Sequence, residues 1–187
     1  MADLRVEFCG FELINPFLLA SAPPTGTGAM IRRAYQAGWA GAVTKTLVMD
    51  ASQVTNVTPR LASLSFPCEP GEPRRIFAFE NIELVTDRGL EIWLKEIAEL
   101  RKEFPDRLTI ASIMDDASKP DGWREMARRC QTAGAQAIEI NMSCPHGMPE
   151  RGMGMAIGQD PEIAGQVTRW VKEATELPVL VKMTPNI

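Results

Sequence analysis

Short apolar segments alternate along the chain with longer segments whose apolar residues recur every three or four positions. The short segments predict buried strands, and the longer periodic segments predict helices. Five strands are predicted, at residues 17–20, 42–44, 108–113, 137–140 and 179–181. Four helices are predicted between them, at residues 29–37, 89–104, 122–133 and 160–175. Strands and helices therefore follow one another in regular order.

Local signals mark helix ends and two irregular regions. Gly38 directly follows the first helix, as glycine commonly does at a helix C-terminus. Asp160 before Pro161 is typical of a helix start, because the carboxylate caps free N–H groups and proline is tolerated in the first turn. Residues 4–8 and 12–13 predict a short N-terminal hairpin. Residues 47–80 lack periodicity and are rich in Pro, Ser and Arg, which predicts a functional loop or a disordered stretch.

The alternation of strands and helices predicts an α/β fold with a parallel sheet. An open doubly wound sheet and a barrel are the two candidates. Residues 22–28 match the dinucleotide-binding glycine pattern poorly, which argues against the open sheet. Polar residues follow four of the strands, namely Ser21, Lys45, Asn141 and Lys182, and this is how a barrel builds its active face. We therefore predict a TIM (β/α)8-type barrel of which the chain carries the first five strands.

Composition and charge narrow the class of protein. The chain has 45% hydrophobic and 24% charged residues, enough apolar material for a sizeable core. Its net charge of −4 argues against nucleic acid as a partner. No apolar run approaches the roughly 20 residues that a membrane helix needs. The N-terminus lacks an apolar signal core, so we expect a cytoplasmic protein. The length of 187 residues suits a single domain over residues 1–187.

Four cysteines and one histidine limit the metal chemistry of the chain. None of the cysteines is spaced as C-x-x-C, and a single histidine does not complete a usual zinc site, so no metal is expected. Cys130 lies at helical spacing from Met126 and is predicted to be a buried packing residue. Cys9 is placed in a short N-terminal strand and Cys68 in a Pro-rich loop, both without a role.

The segment from Asn141 to His146 concentrates reactive side chains. An asparagine, a serine, the thiol of Cys144 and the only histidine follow the apolar strand at residues 137–140. Loops at the C-terminal ends of barrel strands build active sites. This segment is therefore a candidate acid/base site.

Motifs spread in order over nearly the whole chain carry a family resemblance. Two are specific: Asn141-Met142-Ser143-Cys144-Pro145-His146-Gly147-Met148 and Lys182-Met183-Thr184-Pro185-Asn186. Weaker matches are Asn15-Pro16-Phe17, Leu19-Ala20-Ser21-Ala22, Thr44-Lys45-Thr46, Thr55-Asn56-Val57-Thr58-Pro59-Arg60, Asn81-Ile82-Glu83-Leu84 and Gly158-Gln159-Asp160-Pro161-Glu162. Through these motifs the chain resembles the flavin-bearing barrel of dihydropyrimidine dehydrogenases of the bacterial NAD-dependent subunit type, within the wider dihydroorotate dehydrogenase family.

The resemblance implies an FMN-dependent oxidoreductase that reduces the C5–C6 double bond of uracil or thymine. Cys144 resembles the family's general acid, which gives a proton to C5 while the flavin N5 delivers hydride to C6. His146 is expected to tune that thiol. Lys182 and Lys45 match flavin-facing lysines, where an ammonium group stabilises the negative charge of the reduced flavin.

The resemblance also implies binding residues. Asn81, Glu83 and Asn141 match residues that hold the pyrimidine by its amide edge, and Ser143 is expected to bond either substrate or backbone. The segment Ser21–Ala22 matches a stretch where the backbone lies along the flavin, although small residues also suit tight barrel packing. The sequence itself adds that Glu139 shares a strand face with Asn141. A buried carboxylate needs a partner, and we expect a lysine from a neighbouring strand.

Three departures leave alternatives open. The pair Asp115–Asp116 is not part of the family pattern, and serves the loop or alters the charge of the site. A closed barrel has eight strands in about 250 residues, so we expect a truncated barrel whose further FMN contacts lie beyond this chain. NAD(P)H, FAD and iron–sulfur clusters are expected on a missing segment or on a partner subunit, and a homo-oligomer is left open. The alternatives are a dihydroorotate dehydrogenase-type flavoenzyme, in which Asn usually stands where this chain has His146, and a non-catalytic half-barrel.

Overall fold

The computed structural model describes residues 2–53, 59–82, 84–144 and 152–185, which form short strands and helices in alternation. The strands are β1 Val6–Phe8, β2 Phe11–Leu13, β3 Leu18–Leu19, β4 Gly41–Val43, β5 Leu61–Ser65, β6 Ile76–Asn81, β7 Leu108–Ile113, β8 Ala137–Met142 and β9 Val179–Met183. The α-helices are α1 Gly28–Gln36, α2 Leu90–Glu103, α3 Pro120–Ala133, α4 Met155–Gly158 and α5 Pro161–Ala174. Two 3-10 turns cover Pro23–Thr25 and Ala51–Gln53.

The main sheet is parallel and contains five strands in the order β3-β4-β7-β8-β9. Each strand pairs with the next along the sheet, and helices or long connections cross over between them, as in one half of a TIM barrel. The predicted α/β half-barrel is therefore confirmed. The predicted strands are all present, with end points that agree or differ by at most two residues.

Two of these end points change the description of the site. Asn141 and Lys182 were expected to follow their strands, but both lie within them, because β8 and β9 continue to Met142 and Met183. The ladder pairs Asn141 with Lys182 and Met142 with Met183. Backbone pairing does not depend on side-chain polarity, so the ladder continues past the point where the apolar pattern ends.

The two faces of the sheet carry different clusters. One face packs against the helices through a large core that includes Ala111, Ile113, Ile138 and Ile140. The other face, here called the inner face, is apolar towards the N-terminal ends of the strands. There Val43, Leu108, Ile110 and Ala137 pack against Leu13, Phe8 and Phe11 of the β1–β2 hairpin. The hairpin therefore closes one end of the inner face.

The helix ends follow their sequence signals. The carboxylate of Asp160 accepts hydrogen bonds from the backbone N–H groups of Glu162 and Ile163 at the start of α5. Gly38 follows α1 with a φ of 97°, which only glycine adopts without strain. Helix α3 begins at Pro120 instead of residue 122, because proline is well suited to a first turn.

The stretch at residues 47–80 contains structure that the sequence pattern did not predict. Strands β5 and β6 form an antiparallel hairpin whose pairs run from Leu61–Asn81 to Ser65–Ile76. Most of its side chains are exposed, and Phe79 is 81% exposed. Prediction from periodicity depends on burial, and this hairpin is held mainly by its own backbone pairing. The expectation of a loop or disordered stretch was therefore wrong for residues 61–65 and 76–80.

The cysteines divide by burial. Cys130 lies on the buried face of α3 and is fully enclosed in the core, which confirms its predicted packing role. Burial raises the pKa of its thiol to about 12. Cys9 was expected in a strand, but it occupies the turn between β1 and β2 with a φ of 52°. Among the described residues, no helix has the length and apolar character to span a membrane, and no cluster of metal-ligand side chains occurs.

Candidate active site

A cavity of about 150 Å³ opens at the C-terminal ends of the parallel strands. Polar side chains predominate around it, and they come from four different strands or the residues just after them. The lining residues are Ser21, Lys45, Thr46, Leu84, Asn141, Ser143, Cys144 and Lys182. Six of the site residues predicted from sequence are thus brought together in one place.

Strand register explains why these side chains meet. In parallel pairing, Ser112 lies beside Glu139, and Asn141 lies beside Lys182. Side chains alternate between the two faces, so Glu139 and Asn141 share the inner face. The inner face thus changes from apolar at the N-terminal ends of the strands to polar at their C-terminal ends.

Lys182 and Glu139 form an ion pair across β8 and β9. The Nζ atom of Lys182 lies 3.0 Å from Oε1 of Glu139, and the hydroxyl of Ser112 donates to the same oxygen at 2.8 Å. The expectation that a lysine from a neighbouring strand partners Glu139 is confirmed. This ion pair holds the ammonium group of Lys182 at the wall of the cavity.

Lys45 is the second cation of the cavity and is almost buried. Burial lowers its pKa to about 8, and the positive charges of Arg60 and Lys182 act in the same direction. The nearby Cys144 and Asp87 act in the opposite direction on this pKa. Lys45 can therefore gain or lose a proton near pH 8.

Cys144 lies just beyond β8, with 7% of its surface exposed. Its carbonyl oxygen accepts a hydrogen bond from the N–H of Met155 at the start of α4. Gly154 makes this approach possible, because a Cβ there would lie 2.6 Å from that carbonyl oxygen, and its φ is 57°. The backbone at the cysteine is therefore held by the start of α4.

Asn141 is the centre of a set of hydrogen bonds. Its Oδ1 accepts from the backbone N–H of Ser143 at 3.0 Å and from the hydroxyl of Ser143 at 2.9 Å. Its Nδ2 donates to Oγ1 of Thr46 at 2.9 Å. Thr46 also contacts the hydroxyls of Ser112 at 2.9 Å and Ser21 at 3.4 Å. The amide orientation of Asn141 is thereby set.

The remaining predicted residues lie apart from this cavity or outside the described residues. Ala22 is next to Ser21, but its N–H bonds to Thr25 Oγ1 within a tight turn, and it does not line the cavity. Asn81 ends β6 in an exposed position and is not among the lining residues. Glu83 and His146 lie outside the residues that the structure describes.

Sequence reasoning missed Thr46, Ser112 and Leu84 as parts of the site. The signal for Thr46 was its place next to Lys45, but a threonine after a strand is common. The pair Asp115–Asp116 serves its loop: Asp115 accepts from the N–H of Asp116, and Asp116 accepts from Ser118. Burial raises the pKa of Asp115, which does not line the cavity.

A second cavity of about 260 Å³ adjoins the first and shares Lys45 with it. Its wall includes Arg60, Asp87 and Arg88, and Arg88 forms a two-pronged ion pair with Glu96. Arg60 lies 3.9 Å from the carboxylate of Asp87, so both arginines are paired, and Lys45 lies between the two cavities.

Comparison with known proteins places the chain in a family. The sequence profile described as dihydroorotate dehydrogenase matches residues 3–187. A chloroplastic dihydropyrimidine dehydrogenase (NADP(+)) from Arabidopsis thaliana is 44% identical over 185 residues, which are 99% of this chain and 43% of that protein. The NAD-dependent dihydropyrimidine dehydrogenase subunit PreA of Escherichia coli K12 is 39% identical over the same shares of the two chains.

A third relative is less similar to this chain. The catalytic subunit of dihydroorotate dehydrogenase B (NAD(+)) from Pyrococcus horikoshii is 32% identical, over 98% of this chain and 54% of that protein. The chain thus spans about half the length, or less, of these relatives. With the family profile covering almost every residue, and the half-barrel and the polar cavity at its strand ends in agreement, the chain belongs to the dihydroorotate dehydrogenase family.

Proposed function

We propose that this chain is the substrate-binding and proton-donating part of an FMN-dependent oxidoreductase that reduces the C5–C6 double bond of uracil or thymine. The observation that carries the proposal is the convergence of Cys144, Asn141, Ser143, Lys45 and Lys182 on one cavity. The similarity to two dihydropyrimidine dehydrogenases over almost the whole chain supports this choice of substrate.

The charges around the cavity fit a flavin. Lys45 and Lys182 supply two positive charges, and Glu139 supplies one negative charge. The two ammonium groups would complement the negative charge that a reduced flavin carries at its N1–O2 edge. Lys182, Lys45, Ser21 and Asn141 would hold FMN, with Ala22 allowing close approach of the backbone. The cavity is smaller than the roughly 300–1,000 Å³ that is usual for ligand pockets, so these residues would hold only one part of the FMN molecule.

FMN, when bound, supplies a hydride to C6 of the pyrimidine. The chain contributes the proton: the S–H bond of Cys144 breaks, a C–H bond forms at C5, and the double bond becomes single. The thiolate that remains takes up a proton from water. Lys45 lines the same cavity as Cys144 and interacts with it electrostatically, so its ammonium group would stabilise that thiolate. Asn141 and Ser143 orient the ring by its amide edge.

The electrons enter from outside the described residues. We propose that NAD(P)H reduces the flavin through FAD and iron–sulfur clusters on a partner subunit or a further segment. The naming of the Escherichia coli relative as a subunit is in keeping with this arrangement. The domain proposed for residues 1–187 is thus the N-terminal part of an FMN-binding barrel.

The first test is flavin binding followed by turnover. The purified chain is mixed with FMN, the bound flavin is reduced chemically without oxygen, and uracil, thymine or orotate is added. Reoxidation by uracil or thymine supports the proposal. Reoxidation by orotate alone indicates the dihydroorotate dehydrogenase reaction, which the 32% identical relative favours. Failure to bind FMN contradicts the proposal for this chain and indicates a non-catalytic half-barrel.

The second test concerns the proton donor. Cys144→Ala should abolish reoxidation by uracil and leave FMN bound, because the thiol supplies only the proton. The matched control is Cys68→Ala, since Cys68 is an exposed thiol away from the cavity. If the Cys144 variant also loses its flavin, the proposed role of the thiol is wrong.

Lys45 provides a pH signature for the same site. Its pKa is about 8, so its positive charge is lost as the pH rises above that value. We expect the affinity for reduced FMN to fall between about pH 7 and pH 9, by roughly tenfold for the loss of one nearby charge. Lys45→Arg should remove this decline, because arginine stays charged. An equal decline in that variant would assign the titration to another group.

A further inference from the structure

Three side chains, those of Thr46, Ser112 and Glu139, connect Asn141 to Lys182 through hydrogen bonds and an ion pair. Thr46 and Ser112 are fully or almost fully buried, and Glu139 is 9% exposed. The contacts run from Asn141 Nδ2 to Thr46 Oγ1 at 2.9 Å, from Thr46 Oγ1 to Ser112 Oγ at 2.9 Å, and from Ser112 Oγ to Glu139 Oε1 at 2.8 Å. A continuous series of hydrogen bonds therefore runs from β8 through the segment after β4 and through β7 back to β8.

The direction of each hydrogen bond follows from its two ends. The backbone N–H of Ser143 can only donate, so the atom of Asn141 that faces it is Oδ1, and Nδ2 faces Thr46. At the other end, the carboxylate of Glu139, which is paired with Lys182, can only accept. The single proton of Ser112 therefore points to Glu139.

The direction of the hydrogen bond between Thr46 and Ser112 is then determined. Thr46 accepts the amide hydrogen of Asn141, so its own hydroxyl proton is free to donate. Ser112 has given its proton to Glu139 and offers a lone pair at 2.9 Å, closer than Ser21 at 3.4 Å. All protons therefore point from Asn141 towards Glu139, and neighbouring bonds of this kind strengthen one another.

The arrangement sets which polar atoms the cavity offers to a ligand. Asn141 uses one amide hydrogen on Thr46, and its second amide hydrogen is left for a carbonyl oxygen. Ser143 gives its hydroxyl proton to Asn141, so its oxygen is left to accept from an N–H group. A donor and an acceptor thus stand side by side at the cavity wall.

We propose that Thr46 and Ser112 are positioning residues. Because Glu139 can only accept, the hydrogen bonds through Ser112 and Thr46 fix the orientation of the Asn141 amide. The cavity then selects ligands with adjacent C=O and N–H groups in one ring. Cyclic imides such as uracil present this pair, and that part of the proposal rests on the proposed function. Thr46 stands at the cavity wall and Ser112 lies behind it, and both act on the ligand by orienting Asn141.

Side-chain amide exchange measures the proposal without any ligand. The chain has five asparagines, so selective ¹⁵N-asparagine labelling gives a simple spectrum, and the Asn141 signals are identified by their loss in Asn141→Asp. In Thr46→Val the amide loses its acceptor, and we expect hydrogen exchange at Asn141 to accelerate by about tenfold. Thr46→Ser keeps the hydroxyl and should exchange within about twofold of the unchanged chain.

Ser112→Ala distinguishes the directed series of hydrogen bonds, here called the directed chain, from a role of Ser112 in packing alone. Ser112 makes no hydrogen bond to Asn141, so a packing role predicts unchanged exchange at Asn141. The directed chain predicts faster exchange, because Thr46 loses the acceptor for its proton. If Thr46→Val does not fold, Ser112→Ala decides the matter by itself. Unchanged exchange in folded Ser112→Ala would overturn the proposal.

Uracil affinity then connects the positioning to the proposed function. Thr46→Val should weaken uracil binding by about tenfold, and Thr46→Ser by less than about threefold. Altered exchange together with no uracil binding in any form, the unchanged chain included, would uphold the hydrogen-bond chain and reject the pyrimidine assignment. Equal uracil affinity in all forms, with unchanged exchange, would reject the hydrogen-bond chain alone.

Discussion

The C-terminal half of the inner face and the β5–β6 hairpin both combine apolar and polar residues in β-structure, but they differ in what surrounds them. Every residue of β7 and β8 is buried, whereas most residues of β5 and β6 are exposed. The buried strands hold polar side chains only in partnered form, as in the pair of Glu139 and Lys182. The hairpin exposes apolar side chains such as Phe79.

The two regions therefore differ in how much they contribute to stability and in how rigidly they hold polar side chains. A buried polar group is costly unless it is bonded, so the cavity at the strand ends is a site of fixed geometry. An exposed strand pair gains little from burial, and substitutions there have little to disturb. Four predictions test how far this contrast extends, from the largest expected effect to the smallest.

The largest effect is expected when the same substitution is made in the two regions. Ile97 on α2 is fully buried against the sheet, and Ile76 on β6 is 50% exposed. Ile97→Ala should lower the free energy of unfolding by about 3–4 kcal/mol, because it removes buried methyl groups and leaves a cavity. Ile76→Ala should lower it by less than about 1 kcal/mol. Denaturant unfolding measures both, and equal losses would refute the contrast.

The second effect concerns Tyr35, which packs α1 against β7. It is the only tyrosine, its hydroxyl lies 2.9 Å from Oγ1 of Thr109, and burial raises its pKa to about 12 from 10.0. Between about pH 10 and 12 only the unfolded chain ionises at this group, so the stability that Tyr35 contributes is present below pH 10 and lost as the pH rises to 12. We expect a loss of about 2–3 kcal/mol over that window.

The tyrosinate absorbance follows Tyr35 directly, and unfolding at several pH values gives the energy. Tyr35→Phe is the matched control, because it keeps the ring and removes the ionising group. The difference in stability between the two chains should be constant below pH 10 and narrow above it. A titration of the native chain near pH 10 would show that this face of the sheet is more open than its packing indicates.

The third effect tests the ion pair of the inner face. Lys182→Met leaves Glu139 with the hydroxyl of Ser112 alone. We expect a loss of about 2 kcal/mol, less than the roughly 3–5 kcal/mol of fully buried pairs, since the Lys182 side chain is 36% exposed. Lys95→Met on α2 is the control, because Lys95 forms an exposed pair with Glu99 that contributes under about 0.5 kcal/mol.

A second variant distinguishes charge from packing at this pair. Adding Glu139→Gln to Lys182→Met removes the unpartnered carboxylate, and about half of the lost stability should return. A double variant as unstable as the sum of the two single ones would mean that the two side chains act independently.

The smallest effect is expected for an exposed side chain of the β5–β6 hairpin. Phe79→Lys replaces a side chain that is 81% exposed, so the free energy of unfolding should change by less than about 0.5 kcal/mol. Light scattering should show less self-association, because an exposed apolar group is removed. A loss above about 1 kcal/mol would show that the hairpin packs against the chain more closely than its exposure indicates.

The sequence predicted those elements whose signal is burial. The strands and helices of the half-barrel repeat apolar residues at spacings that a core requires, and all of them are present. The β5–β6 hairpin and the four-residue α4 were missed, because an exposed hairpin and a short helix leave no such pattern. The ends of β8 and β9 were placed too early for the same reason, since pairing extends beyond the apolar residues.

The candidate site divides in the same way. Asn141, Ser143 and Cys144 are neighbours in the chain, so their shared place at a strand end could be predicted. The expected lysine partner of Glu139 followed from the cost of an unpaired buried charge. Thr46 and Ser112 could not be found, because an ordinary threonine and an ordinary serine acquire importance only through the hydrogen bonds they make across strands.

By itself, then, the sequence determined the order of elements, the parallel half-barrel and the chemical types at its active edge, because periodicity and strand-end motifs are local properties. Only the tertiary structure decided which of those side chains meet, which oxygen of Glu139 holds Lys182, and which way the amide of Asn141 points. These depend on register between strands that lie far apart in the chain. Hydrogen-bond direction is fixed by the whole set of neighbours and by no residue alone.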